Sequence, residues 1–83
     1  MNWFCYLLRC ADDTLYCGIT NDLGKRLAAH NAGTASKYTR TRVPVALVFV
    51  ENYADRSAAS KREMEIKKLK RAGKLALIQS SLK

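Results

Sequence analysis

WFCYLLRCADDTLYCGITNDLGKRLAAHN, running from Trp3 to Asn31, holds two apolar runs, a turn and a helical segment. Trp3 to Arg9 is rich in aromatic and branched residues and reads as a strand. Both of its parities are apolar, which predicts a central strand covered on both faces. Ala11-Asp12-Asp13 supplies turn chemistry, and Thr14 to Thr20 is the return strand of a hairpin. A two-residue turn at Asp12-Asp13 would pair Arg9 with Tyr16 and send Tyr6 to the opposite face. A three-residue turn, Ala11 to Asp13, would pair Leu8 with Tyr16 and Tyr6 with Gly18. Since one residue of slip turns every side chain over, only the odd loop puts both tyrosines on one face. The residues alone leave the two loops open; the odd loop is expected because a shared site requires it. Asp13 then takes the left-handed position. Gly18 inside a strand marks a close backbone approach or a bulge. Thr20-Asn21-Asp22 offers helix caps, and the helix Leu23 to Asn31 stacks Leu23 on Leu27 toward the sheet. Arg26 and His30, also four apart, lie beside that stripe and point along the sheet surface.

Beyond this stretch, Thr34 to Pro44 reads as a loop carrying Lys37, Tyr38, Arg40 and Arg42. Basic residues interleaved with an aromatic suit a phosphate backbone and a base face, and equally suit an ordinary solvated loop. Val45 to Val50 is a third strand, with Pro44 at its start where no ladder bond is lost. Asp55 or Ser57 caps a helix over residues 57–71, with Ala58, Ala59, Ile66 and Leu69 as its buried stripe. Gly73 breaks that helix, and Leu75 to Leu82 forms a short final one with Leu75, Ile78 and Leu82 inward.

Eighty-three residues make one small domain, 1–83. Fifteen Lys and Arg against seven Asp and Glu leave a net charge of +8, so a polyanion, nucleic acid first, is the expected partner. Cys5, Cys10 and Cys17 are odd in number and lack the paired spacing of a zinc site; they read as buried, reduced thiols of a cytoplasmic protein. No secretory leader is visible, and no apolar run has the length needed to cross a bilayer. The only acids on the long basic helix are Glu63 and Glu65, each flanking the buried stripe on a different side. A carboxylate at the rim of a buried face needs a partner. Helical rotation does not choose between the two.

Taken together, these residues resemble the GIY-YIG nuclease superfamily, and most closely its short stand-alone bacterial branch, related to the N-terminal domain of a bacterial excinuclease. Phe4-Cys5-Tyr6 and Tyr16-Cys17-Gly18 stand for the two signature tripeptides, Arg26 to His30 for the Arg-x-x-x-His segment. Ser36-Lys37-Tyr38-Thr39, Pro44 to Val48 and Ala59 to Lys67 extend the match over nearly the whole chain. The resemblance implies an α+β fold: a three-stranded antiparallel sheet flanked by about three helices, in the order β-β-α-β-α-α. It also implies metal-assisted phosphodiester hydrolysis. By position Glu63 becomes the ligand of one Mg²⁺ (or Mn²⁺), which separates it from Glu65. Tyr6 and Tyr16 become the active-site tyrosines, Arg26 the phosphate clamp and His30 an accessory. Both tyrosines are candidates for the general base, Tyr6 first, with Arg26 and the metal expected to lower its pKa.

The leading expectation is thus an endonuclease of low sequence specificity acting on DNA, bound through Lys37, Tyr38, Arg40, Arg42 and Lys67. Many members carry an Asn in the C-terminal helix, where this chain offers only Gln79. That difference favours an alternative, a nucleic-acid-binding module with little turnover. A third reading is an adaptor whose basic face docks an acidic protein.

Overall fold

The computed structural model describes residues 2–81. Its elements are β1 (Trp3–Arg9), β2 (Leu15–Thr20), α1 (Leu23–Asn31), α2 (Lys37–Arg40), β3 (Ala46–Tyr53), α3 (Arg56–Lys67) and α4 (Arg71–Ser81). The three strands form one antiparallel sheet in the order β2-β1-β3. β1 is central, as its double apolar character predicts, and Cys5, Tyr6, Leu7 and Leu8 are all buried.

The hairpin has the odd loop. Tyr6 pairs with Gly18 and Leu8 with Tyr16, so both tyrosines share a face. Asp13 stands at φ 67°, the left-handed position that closes the turn. Its amide donates to the Cys10 carbonyl at 2.9 Å, and Asp12 accepts from the amide and hydroxyl of Thr14 at 3.2 and 2.6 Å. Short polar side chains thus hold a conformation for which glycine would be the default.

Helices cover both faces of the sheet. On one, Cys5, Leu7, Cys17 and Phe49 pack against Ile66 of α3, joined by Leu77 and Ile78 of α4. On the other, Tyr6, Leu8, Cys10 and Val45 pack with Tyr16 and with Leu23 and Leu27 of α1. Asp22 caps α1 by accepting from the Lys25 amide at 3.1 Å. Asn31 ends it by pairing both ways with the Val45 backbone, at 2.7 and 3.3 Å, which ties the helix to the start of β3.

Three expectations are corrected. The segment 34–44 is not all loop: Ser36 caps the one-turn helix α2, accepting from the Tyr38 amide at 3.1 Å. Four residues are too few to display a period, and this gives the described chain four helices. β3 continues to Tyr53, three residues past the apolar run. As an edge strand it leaves Leu47 and Val50 exposed, so apolar content does not mark its length. α3 stops at Lys67, and Gly73 lies inside α4 rather than ending α3. A Cβ at Gly73 would stand 3.2 Å from the Leu69 Cβ, so this glycine serves close packing. Because α3 ends at Lys67, the period carried on to Leu69 loses phase, and Leu69, expected inward, is exposed. Of the final helix, Leu75, expected inward, is exposed, whereas Ile78 packs on the core as expected. Leu82 lies outside the described residues.

Candidate active site

The edge strand β2 is where the two helical layers meet. There a cleft of about 280 Å³ is lined by Tyr6, Tyr16 and Gly18 of the hairpin and by Arg26 and His30 of α1. Arg56, Ser60 and Glu63 of α3 complete it from the other side. All five residues expected to do chemistry therefore reach one place.

Gly18 makes this convergence possible. A Cβ there would lie 2.5 Å from the Tyr6 hydroxyl, 2.7 Å from Tyr6 Cζ and 3.3 Å from Tyr16 Cε2. Real Cβ atoms do not approach so closely. The close backbone approach read from the sequence is thus made by the cross-strand Tyr6 ring, which lies over the bare backbone.

Behind the cleft runs a buried polar chain. The Tyr6 hydroxyl is 2.9 Å from His30 Nε2, and His30 Nδ1 is 2.8 Å from Thr39 Oγ1. Thr39 donates its one proton to the Ser36 carbonyl at 3.4 Å, so toward His30 it accepts. On that hydrogen-bond pattern Nδ1 is assigned the proton, and the Nε2 lone pair faces the Tyr6 hydroxyl. Burial, then the charge of Arg26, hold His30 below its ordinary pKa, which favours this neutral ring. His30 is buried against the sheet at Tyr6, away from free solvent as expected. Thr39, fully buried, was not anticipated as a site residue: nothing in a Ser-Lys-Tyr-Thr run says which hydroxyl turns inward.

Arg26 by itself does not bring the Tyr6 pKa below its ordinary value; the expected lowering is by Arg26 together with a bound metal. Burial, followed by neighbouring Tyr16, pushes the phenol well above its usual range, and the opposing pull of Arg26 is smaller. Tyr6 is therefore held as a phenol that donates to His30, not as a ready phenolate.

The two glutamates part company. Glu65 is largely exposed and pairs with Arg62 at 3.3 Å, whereas Glu63 is one-fifth exposed and faces the cleft. The ion-pair partner of Glu63 is Lys67 at 3.4 Å, itself half exposed. Such a partner is readily displaced. Among the described residues no group of three or more His, Cys, Asp or Glu is placed to hold a metal. One carboxylate in a polar cleft suits a hard divalent ion that takes its other ligands from water and substrate oxygens. The three buried thiols do not join it; Cys5 and Cys17 lie sulfur to sulfur at 3.9 Å on the opposite face.

The residues expected to bind nucleic acid are less uniform. Tyr38 stacks on Tyr16 with ring centroids 5.7 Å apart, and the Arg42 guanidinium sits 4.1 Å from the Tyr38 ring centre. Arg42 also pairs with Asp12 at 2.9 Å and donates to the Tyr38 carbonyl at 2.7 Å. These contacts lock α2 and its following turn to the hairpin. Lys37 and Arg40 are exposed on α2, and Lys67 is engaged with Glu63. Arg56 and Ser60 were not anticipated in the cleft, although their spacing from Glu63, seven and three residues, places all three on one helical face.

The profile of the GIY-YIG catalytic domain matches residues 2–76. A UPF0213 protein of Lactococcus lactis subsp. cremoris is 51% identical over 80 residues, covering 95% of this chain and 82% of the relative. One from Natronomonas pharaonis is 51% identical over 75 residues, covering 90% of this chain and 88% of its own length. Among solved structures, the solution structure of a UPF0213 protein from Bacillus halodurans superimposes with a TM-score of 0.62 at 37% identity, over 95% of this chain and 84% of that one. A protein from E. faecalis gives a TM-score of 0.65 at 35% identity, over 100% and 90%. The fold, the order of the motifs and these relatives agree, and the chain belongs to the GIY-YIG family of nuclease domains, alongside the UPF0213 proteins.

Proposed function

We propose that this protein is a metal-dependent endonuclease that hydrolyses phosphodiester bonds in DNA with low sequence specificity. The observation that carries the reading is the single cleft lined by Tyr6, Tyr16, Arg26, His30 and Glu63. A phosphodiester resists attack because its oxygens repel nucleophiles, so neutralising charge is the main requirement. Arg26 can grip two non-bridging oxygens at once. Glu63 would hold one Mg²⁺ or Mn²⁺, which when bound supplies Lewis-acid polarisation of the phosphoryl group.

Tyr6 receives a proton from the attacking water and passes its own phenolic proton to Nε2 of His30. The resulting imidazolium keeps its Nδ1–H on Thr39. The hydroxide forms the new P–O bond, and the ester oxygen departs and takes its proton from solvent. A phenol of raised pKa is a poor stored base but a suitable relay, because its hydroxyl already stands at hydrogen-bond distance from the acceptor. Tyr16, edge-on to His30 with centroids 5.2 Å apart, positions the ring and the substrate.

The test is nicking of supercoiled plasmid in Mg²⁺ by the unaltered chain, Glu63→Ala and Arg26→Ala. Each substitution is expected to slow nicking by at least about 10²-fold, the scale for losing one charge-stabilising group. Nicking that survives both changes would sink the proposal. A second reading, a binding module without turnover, is favoured by Gln79, exposed on α4 and outside the cleft. It predicts salt-sensitive DNA binding with no nicking at all.

A further inference from the structure

Two guanidiniums line the cleft, Arg26 from α1 and Arg56 from α3. The side-chain ion pairs among the described residues engage Arg42, Arg62, Lys67 and Arg71, and neither cleft arginine has a carboxylate within pairing distance. Arg56 instead stands 5.7 Å from the centre of the Trp3 ring, a contact that steadies the side chain without using its N–H donors. On α3, Arg56, Ser60, Glu63 and Lys67 follow at i, i+4, i+7 and i+11. They form one polar stripe beside the buried Ala59 and Ile66. The cleft does not stop at Arg56. An adjoining hollow of about 400 Å³ shares Arg56 and Ser60 with it and continues over Ser57, Lys61 and Met64.

One arginine accounts for the phosphate under attack. The second, with a hydroxyl beside it and a lysine beyond, has the donors and charge for another. We propose that Arg56 and Ser60 form a second phosphate subsite, which binds the phosphodiester next to the one held at Arg26. The substrate strand then runs along α3 from Glu63 past Ser60 to Arg56, with Lys61 at its flank in the adjoining hollow. The preferred ligand is a strand with at least two consecutive phosphodiesters rather than an isolated diester. This rests on the nuclease reading above and assigns it a direction of travel.

Binding measures the subsite without requiring turnover. Fluorescence anisotropy of a labelled single-stranded oligonucleotide, followed against salt, reports the phosphates neutralised. Arg56→Ala is expected to lower the salt slope by about one unit and to weaken binding by roughly five- to tenfold at moderate salt. Arg56→Lys is expected to restore the slope, because charge sets it. Lys70→Ala, which removes one exposed charge away from the groove, serves as the comparison. If it lowers the slope as much as Arg56→Ala, the effect is bulk charge and the subsite is refuted. NMR titration with thymidylyl-thymidine and its trinucleotide homologue supplies the second arm. The unaltered chain should prefer the trinucleotide, with its two phosphodiesters, and Arg56→Ala should abolish the preference. An undiminished preference would overturn the subsite and leave the nuclease reading to the plasmid assay. Failure of the unaltered chain to bind any strand would overturn both.

Discussion

Thr39 acts through a single hydroxyl. With the threonine proton assigned to the Ser36 carbonyl and the lone pair to His30, the histidine is assigned the tautomer that can accept from Tyr6. Thr39→Val removes that acceptor and leaves Nδ1–H buried without a partner. Losing a buried hydrogen bond costs about 1–3 kcal/mol. At the transition state that corresponds to about ten- to a hundredfold in rate. Thr39→Ser should restore both nicking and the ¹⁵N chemical shifts that identify the protonated ring nitrogen; a loss in the serine variant equal to that in valine would refute the role. His30 adds a pH dependence whose sign follows from its lowered pKa. The unfolded chain, near the ordinary 6.5, takes up a proton before the folded one does, so stability is full above about 6.5 and falls as pH drops through the folded value. Urea midpoints measured across that interval should show this slope in the unaltered chain and lose it in His30→Gln. Arg26 and His30 were legible as a local i, i+4 pair, whereas a shared face for Tyr6 and Tyr16 was expected only from the demand of a common site. Thr39 was not legible, since its inward turn depends on a one-turn helix that shows no period.

The hairpin is the element on which the rest is registered. Gly18→Ala inserts a methyl group where the Tyr6 ring lies, with the clash against a buried hydroxyl rather than a free chain end. Overpacking of this kind costs about 1–3 kcal/mol. Either the ring moves, and nicking is lost with the Tyr6–His30 bond, or the strands separate. A chemical-denaturation curve and the Tyr6 aromatic resonances distinguish these outcomes, and an unshifted midpoint with full activity would contradict the packing described. At the other end of α1, Asn31→Ala is expected to lower stability by about 1–3 kcal/mol, read from the urea midpoint, because two backbone groups of Val45 lose their partner. The order of elements could be read from the residues; the odd loop could not, and was expected only from the demand that two phenols share a face. Nor could the ends of β3, α3 and α4. An edge strand need not be apolar, and a helical period carried past Lys67 assigns Leu69 to the wrong side.

Across the whole molecule, the excess positive charge is not spread evenly in purpose. Arg42, Arg62 and Arg71 are tied to Asp12, Glu51 and Asp13, and these links join the hairpin, the end of the sheet and the two C-terminal helices. No helix among the described residues is long and apolar enough to cross a membrane. The net charge alone suggested a polyanion; which cations are structural became clear only with the fold. In a chain of this size the proposed working parts are also part of the interior: Tyr6, His30 and Thr39 are 3%, 1% and 0% exposed. Replacing a buried polar set by apolar groups of similar volume is often neutral or stabilising, by about 1–4 kcal/mol for ion pairs. The triple change Tyr6→Phe, His30→Leu, Thr39→Val should therefore melt no lower than the parent, as followed by circular dichroism, while nicking disappears. Breeding this protein for heat tolerance alone would accordingly steer it toward an oilier, sturdier and inert descendant, so any such screen must reward turnover and toughness in the same round.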